Sequence, residues 1–230
     1  MIEIDSHKTT LEKEGFSISK PLFSNEELKE MCDLIDQSDH NFAIRQLVLK
    51  VPKLKELIFN NDNFKNLYKS ICDERCFLSK AIFFNKPKMS NWFVSYHQDL
   101  SISVKNKKET HGYSNWTNKN GQLGVIPPRE VLENTVTFRI HVDDTNETNG
   151  ALHVIPKSHN KGIIRVDETF NKNKLEKEVL CNVDRGGVMV MKPLLLHASQ
   201  RSVSAFNRRV IHLEFCNQEI PMQWLEKQII

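Results

Sequence analysis

The spacing of apolar residues changes at Phe77, and this change limits the folds that are open to the chain. Before Phe77 the apolar residues recur at helical intervals. Residues 25–37 are predicted to form an amphipathic helix that begins at a capping box, because Ser24 offers a hydroxyl to the free amides and Glu27 follows three residues later.

A second helical region is predicted at residues 54–71, where the apolar side chains again follow a helical period. A polar turn at residues 60–63 interrupts it, and Asp62 or Asn63 is predicted to cap the second half. These helices are expected to be packing elements and not to carry chemistry.

After Phe77 the pattern is one of short apolar runs separated by polar turns, which is typical of β-strands. The predicted extended segments are residues 77–85, 91–104, 135–142, 151–155, 180–183, 188–196 and 209–215. A long polar insertion at residues 105–134 separates the second segment from the third, and Tyr113 and Trp116 within it favour a lid that packs on the rest of the protein.

This order of elements predicts a mainly β fold with N-terminal helices. We expect a helical part at about residues 20–75 and a double-stranded β-helix core, also described as a cupin-like jelly roll, at about residues 77–216. We expect residues 1–230 to form one domain.

Composition narrows the class of partner. The chain has 32 Lys and Arg residues against 29 Asp and Glu residues, and a net charge of +3 is too small to favour nucleic acid or a membrane surface. We find no signal peptide and no apolar run of spanning length. The five cysteines are odd in number and irregularly spaced, so they are expected to be reduced thiols of a cytoplasmic protein. A small-molecule substrate is expected, and the oligomeric state is left open.

His97 and Asp99 offer the strongest chemical signal. If their segment is a strand, period-two alternation points both side chains to one face, where one imidazole and one carboxylate can share a metal ion. His197, at the end of an apolar run, would complete a two-histidine, one-carboxylate set for Fe(II). A buried histidine that hydrogen-bonds to the backbone is the alternative for His197.

Two arginines stand where an organic anion could bind. Arg208 follows His197 by eleven residues, and its planar fork can bind a carboxylate with two hydrogen bonds. Alternation on the strand 135–142 places Thr137, Arg139 and His141 on the face opposite to Val136 and its apolar neighbours, so Arg139 is expected to face the barrel mouth. A salt bridge from Arg139 to Asp143, Asp144 or Glu147 is the alternative.

Together these residues resemble the phytanoyl-CoA dioxygenase-like family of Fe(II)/2-oxoglutarate oxygenases. The resemblance extends from Gly15 to Phe215. It is carried by the following segments: the Ser24–Glu27 helix start, Asn85-Lys86-Pro87, His97-Gln98-Asp99, Glu147 to Leu152, Ile155 to His159, and His197-x-Ser199 followed by Arg208.

The resemblance implies that His97, Asp99 and His197 bind Fe(II), and that Arg208 and Ser199 bind 2-oxoglutarate. It also implies that Gln98 can touch this co-substrate and that O₂ is consumed in a C–H oxidation, with hydroxylation the expected outcome and desaturation or cyclisation left open. Arg139 is expected to meet a carboxylate of 2-oxoglutarate or of the substrate. Tyr113, Trp116 and His141 are further candidates for substrate contact.

The substrate is not expected to be phytanoyl-CoA itself, because the insertion is longer and more basic than a bulky acyl-CoA substrate alone would explain. An alternative is a cupin-like metal protein that acts without O₂ or only binds a ligand, or a non-catalytic relative. Arg208 discriminates, because a cupin that does not use 2-oxoglutarate has no need for it.

Overall fold

The structure, a computed structural model, describes residues 2–37, 42–89, 92–119, 121–167 and 169–230. Its helices are α1 (Ile2–Glu14), α2 (Asn25–Asp36), α3 (Leu47–Lys50), α4 (Pro52–Asn60), α5 (Asp62–Ile71) and α6 (Arg129–Glu133). The first seven strands are β1 (Phe16–Ile18), β2 (Ala43–Arg45), β3 (Phe77–Lys86), β4 (Val94–His97), β5 (Ile102–Val104), β6 (Ser114–Lys119) and β7 (Gln122–Ile126). The others are β8 (Thr135–His141), β9 (Leu152–Ile155), β10 (Val179–Cys181), β11 (Val188–Met191), β12 (Leu196–Ser199), β13 (Arg208–Cys216) and β14 (Gln228–Ile229).

Antiparallel strands form three sheets. A seven-stranded sheet has the order β1-β11-β8-β13-β3-β14, with β2 also paired to β3. A four-stranded sheet has the order β10-β9-β12-β4, and a small sheet has the order β5-β7-β6. The predicted mainly β fold with a jelly-roll core is therefore confirmed. No helix within the described residues is long and apolar enough to cross a membrane.

The N-terminal helices cover the outer face of the large sheet. The apolar face of α2 (Leu28, Met31, Cys32 and Ile35) packs in one core with α4, α5 and the odd-numbered residues of β13. Val136, Phe138 and Ile140 on β8, and Val142 directly after it, join the same core, as the alternation predicted. The inner face of the sheet is thereby left to the polar residues of these strands, and it forms one wall of the cavity.

The capping box predicted at Ser24 is present. The Glu27 amide donates to the Ser24 hydroxyl at 3.2 Å, and the Ser24 amide donates to the Glu27 carboxylate at 2.7 Å. The cap of α5 was predicted wrongly: it is Asn61, whose side chain accepts a hydrogen bond from the Phe64 amide at 2.8 Å. Asn61 caps better than Asp62 because its backbone is extended, whereas Asp62 already lies inside the helix.

Three further segments differ from the predictions. Helix α1 was not predicted, and the segment 91–104 is two strands, β4 and β5, joined by residues 98–101. The insertion 105–134 is not a structureless loop, because it contains the β6–β7 hairpin and α6. The hairpin extends β5 into the small sheet, so the insertion has a fixed place beside the barrel.

Candidate metal centre and co-substrate pocket

His97, Asp99 and His197 come together at the edge of the four-stranded sheet. One ligand atom from each lies within 4.8 Å of the others. His97 Nε2 is 3.9 Å from Asp99 Oδ1, and His197 Nε2 is 3.8 Å from Asp99 Oδ2. Within the described residues this is the single group of three such side chains close enough to hold a metal ion.

Backbone carbonyls fix the tautomer of both histidines. His97 Nδ1 lies 2.9 Å from the Ser95 carbonyl oxygen, and His197 Nδ1 lies 2.9 Å from the Leu195 carbonyl oxygen. A carbonyl can only accept, so each Nδ1 carries the proton and each Nε2 is left with a free lone pair. This is the arrangement that metal-binding histidines require, and it fits Fe(II) in the two-histidine, one-carboxylate geometry.

The charge states of His197 and Asp99 also suit a metal. Burial lowers the pKa of His197 to about 4, so its imidazole is neutral at physiological pH. Burial alone would raise the pKa of Asp99, but His197, His212 and His97 together hold it below its usual range. The cluster therefore offers one carboxylate and neutral imidazole.

Arg208 lines the cavity that contains this cluster, as its sequence separation of eleven residues from His197 predicted. It is 5% exposed, and its Nε and Nη1 have no hydrogen-bond partner. Burial, and then the charge of Arg139, lower its pKa to about 9, so the guanidinium stays protonated at neutral pH. Among the described residues no carboxylate lies within ion-pair distance of Arg208. A buried cation with unused donors requires an anion, and 2-oxoglutarate would supply one.

Lys86 stands opposite Arg208 in the register of β3 and β13. Lys86 is 1% exposed, and no role was predicted for it from the sequence. Its Nζ donates to Ser199 Oγ at 3.2 Å and to the Gln200 carbonyl, and Ser199 Oγ donates to the Gly150 carbonyl at 2.8 Å. Burial, and then Arg208, lower the pKa of Lys86 to about 8. The signal that could have revealed it was a lysine at an inward-facing position of a buried strand.

Gly150 makes room for Lys86. A Cβ at Gly150 would lie 2.6 Å from Lys86 Nζ and 2.8 Å from the Gln200 carbonyl, and its φ of +83° is one that other residues rarely adopt. Ser199 and Lys86 are therefore brought beside Arg208 by a turn that only glycine fits.

Arg139 faces the cavity, as the alternation predicted, and is 6% exposed. The alternative salt bridges to Asp143, Asp144 or Glu147 are not formed, because Asp143 pairs with Arg209 and Arg139 instead contacts His212. Burial lowers the pKa of Arg139 below its usual range, against the opposing effect of Asp99.

Gln98 lines the cavity with the metal ligands, and its side-chain amide is hydrogen-bonded to the backbone. Its amide nitrogen donates to the carbonyls of Gly162 and Leu194 at 2.9 and 2.7 Å, and its oxygen accepts from the Ile164 amide at 2.8 Å. The side chain thus ties backbone segments together between the two metal ligands.

The three other candidates for substrate contact are not on the cavity wall. Tyr113 and Trp116 pack against an apolar cluster that contains Ile102, Val125 and Trp224. His141 is buried, with its Nδ1 2.7 Å from Thr145 Oγ1. The hairpin still reaches the cavity, but through Thr117, Lys119, Gln122, Leu123 and Gly124, which the sequence analysis did not single out.

The cavity has a volume of about 470 Å³ and opens to solvent. Its lining contains five cationic side chains and two carboxylates: Arg45, Lys80, Lys119, Arg139, Arg208, Asp99 and Glu214. The charges of Fe(II) and of the 2-oxoglutarate dianion would cancel each other. The five cations and two carboxylates of the lining would therefore leave an excess of three positive charges for other ligands.

Comparison with known proteins identifies the family. The family model described as Phytanoyl-CoA dioxygenase (PhyH) matches residues 11–210. The chain belongs to this family. The family places it among the iron- and 2-oxoglutarate-dependent oxygenases, and both predicted cofactors fit the geometry described above. No curated protein matches the sequence.

Several solved structures share the fold at low sequence identity. Apo EctD from S. alaskensis is 15% identical, with a TM-score of 0.69 over 96% of this chain and 80% of that chain. HygX from Streptomyces hygroscopicus, solved with iron bound, is 13% identical, with a TM-score of 0.65 over 92% of this chain and 85% of that chain. EvdO2 from Micromonospora carbonacea var. aurantiaca, complexed with 2-oxoglutarate, is 14% identical, with a TM-score of 0.65 over 96% of this chain and 94% of that chain.

Proposed function

We propose that this PhyH-family protein hydroxylates an unactivated C–H bond of a small organic anion and converts 2-oxoglutarate and O₂ to succinate and CO₂. The observation that carries the proposal is the juxtaposition of the His97–Asp99–His197 cluster with two buried arginines that lack anionic partners. Metal ligands alone would suit many reactions, but buried cations beside them call for anionic ligands at the same site.

His97, Asp99 and His197 would hold Fe(II), with each imidazole steered by its carbonyl partner. Iron bound with 2-oxoglutarate would supply O₂ activation and the oxidising power for C–H cleavage, so the protein's task is to bind and orient. Support comes from two proteins with the same fold, since HygX is solved with iron and EvdO2 with 2-oxoglutarate.

Arg208 would bind the distal carboxylate of 2-oxoglutarate with its unpartnered donors. Ser199 would turn its hydroxyl hydrogen from the Gly150 carbonyl to the same carboxylate, and Lys86 would hold the Ser199 oxygen in place and add a second positive charge nearby. A buried site of this kind binds a carboxylate strongly because the cations cannot be satisfied by water.

The substrate would occupy the outer part of the cavity. Phe84, Trp92 and Leu123 give the cavity apolar wall area, while Arg45 and Lys119 add positive charge to its lining. An organic anion with an apolar body fits such a lining, and Arg139 is a buried cation whose charge acts on both Asp99 and His197.

Succinate release by the Fe(II)-loaded full chain tests the proposal. A set of small carboxylic acids would be compared with the corresponding neutral amides in the presence of 2-oxoglutarate and O₂. We expect iron-dependent succinate formation that selected acids stimulate and their amides do not, with an oxygen atom added to the product. Stimulation by the amides alone, or turnover that does not depend on 2-oxoglutarate, would contradict the proposal.

A non-oxidative, cupin-like metal protein is the less favoured function. It would leave Arg208 and its unused donors buried without a purpose.

A further inference from the structure

Arg139 is held from one side by a histidine. The register of β8 and β13 places Arg139 opposite His212, and Arg139 Nη1 lies 3.1 Å from His212 Nδ1. A guanidinium has donors and no acceptor, so His212 Nδ1 must be the unprotonated nitrogen that accepts this hydrogen bond. The proton of the neutral ring therefore resides on Nε2.

The opposite side of the His212 ring continues the hydrogen bonding. His212 Nε2 donates to Glu214 Oε1 at 3.0 Å. Lys80 Nζ donates to both oxygens of Glu214, at 2.9 and 2.8 Å, and to the Ser101 carbonyl at 2.6 Å. Burial would raise the pKa of Glu214, but Lys80 and His212 lower it below its usual range, so it is a carboxylate. We call Lys80, Glu214, His212 and Arg139 the polar ladder.

The polar ladder lies on the cavity wall. All four residues are at least nine-tenths buried, and all four line the cavity that contains the metal ligands. Well-packed apolar residues in their place would be about as stable, because burying charges costs as much as their pairing returns. Stability alone therefore does not account for the arrangement.

The ladder leaves one part of Arg139 unused. Nη1 is engaged by His212, while Nε is buried and has no hydrogen-bond partner. A guanidinium that is fixed at one nitrogen cannot swing freely, so its remaining donors keep one direction. Such preorganisation reduces the entropy that is lost when a ligand binds.

We propose that the polar ladder is a positioning device, in which His212, backed by Glu214 and Lys80, holds Arg139 so that its free donors bind a carboxylate of the substrate. This inference rests on the proposed function. Arg139 touches the ligand, and the other three residues act through it.

The tautomer of His212 gives the first test. The full chain would be labelled with ¹⁵N-histidine and loaded with Zn(II), which is diamagnetic and binds histidine and carboxylate ligands. We expect an His212 ring with a proton on Nε2 and none on Nδ1, identified by its absence from the spectrum of His212→Gln. A ring protonated on Nδ1 would overturn the ladder, whether or not the protein turns over 2-oxoglutarate.

Anion binding gives the second test, with acetate as the probe. The Arg139 Nε–H resonance of the Zn(II) and 2-oxoglutarate complex would be followed during titration with acetate. We expect a saturable shift in the wild type, and binding weaker by about tenfold or more in His212→Phe, which removes both hydrogen bonds of the ring. His212→Gln should restore most of the binding, because an amide can accept from Arg139 and donate to Glu214.

The affinity for 2-oxoglutarate separates this inference from the proposed function. His212→Phe should leave 2-oxoglutarate binding unchanged, since Arg208 and Ser199 are not part of the ladder. Equal acetate affinity in wild type and His212→Phe would overturn the positioning role. A loss of 2-oxoglutarate binding in His212→Phe would also overturn it, because the ladder would then serve the co-substrate. A wild type that binds 2-oxoglutarate but never forms succinate would refute the proposed function instead.

Discussion

His97 stands directly opposite His197 in the register of β4 and β12, and their ring centroids are 4.3 Å apart. Two histidines that are a hundred residues apart in the chain are thus brought together by strand pairing. The backbone amide of Asp99 donates to the Pro193 carbonyl at 2.9 Å, which anchors the third side chain to the same pair of segments. Strand register therefore places the two histidines, whereas a backbone hydrogen bond between two connecting segments places Asp99.

Alanine at any one of these three positions should abolish iron binding and turnover while the fold remains. The cluster lies at the cavity wall, outside the helix-side core, so its loss removes ligands and little packing. Iron content and succinate formation would be measured, with circular dichroism as the check on folding. His111→Ala, at an exposed position, is the matched control. Full activity in any of the three variants would refute the ligand assignment.

Arg208→Ala should raise the KM for 2-oxoglutarate strongly and leave iron binding intact. The loss of one side of a buried, charged hydrogen-bonded pair costs roughly 2–5 kcal/mol. The neighbouring Arg209 provides the control, because it points the other way and pairs with Asp143 at 2.8 and 2.9 Å. Arg209→Ala should cost about 1 kcal/mol of stability and leave the KM unchanged. The opposite pattern would mean that the inward face of β13 has been assigned wrongly.

Arg139→Leu should weaken the binding of the substrate and leave the affinity for 2-oxoglutarate nearly unchanged. The reason is that Arg208 and Lys86 already provide positive charge at the co-substrate end of the cavity. Arg139, on β8, stands opposite His212, which is four residues further along β13 than Arg208. Both affinities would be titrated against the variant, with the most stimulating acid as the substrate. A collapse of 2-oxoglutarate affinity would make Arg139 a co-substrate ligand.

The parts of the molecule that were predictable have strong local signals. Ser24 and Glu27 define the start of α2, and the alternation of β8 correctly assigned Arg139 to the inner face. The missed elements have weak signals: β6 (Ser114–Lys119) is mostly exposed and carries a single large apolar residue, so its period of two was invisible. Lys86 was missed because its importance depends on Arg208 across the sheet, and such pairing is set by register and not by neighbouring residues in sequence.

The β6–β7 hairpin should affect substrate use through Lys119 and Leu123, and stability through Trp116. Lys119 and Leu123 line the cavity, whereas Trp116 is half-buried in the neighbouring apolar cluster. Lys119→Ala should change the KM of an anionic substrate, and Lys107→Ala, which removes the same charge outside the cavity, should not. Trp116→Ala should lower the free energy of unfolding by about 2 kcal/mol, less than the cost at a fully buried site.

Urea unfolding and substrate kinetics of the same variants would check this division. If Trp116→Ala altered the substrate KM at unchanged stability, the original assignment of Trp116 as a substrate contact would stand. Iron binding should be unchanged in all of these hairpin variants.

Glu226 should make the protein less stable as the pH rises through neutrality. It is 1% exposed, and burial raises the pKa of its carboxyl to about 7 from an ordinary value of 4.5. The folded state therefore holds a proton that the unfolded state releases, so the stabilising contribution is complete below about pH 4.5 and is lost as the pH rises to about 7. A shift of this size corresponds to about 3 kcal/mol.

Glu226→Gln keeps the shape of the protonated form, so the stability of the variant should match that of the wild type at pH 5 and exceed it at pH 8. Urea unfolding of both proteins across this range isolates the contribution of Glu226, because all other titrating groups are common to them. A constant difference between the two proteins across the range would show that Glu226 is ionised in the folded state and has found a partner.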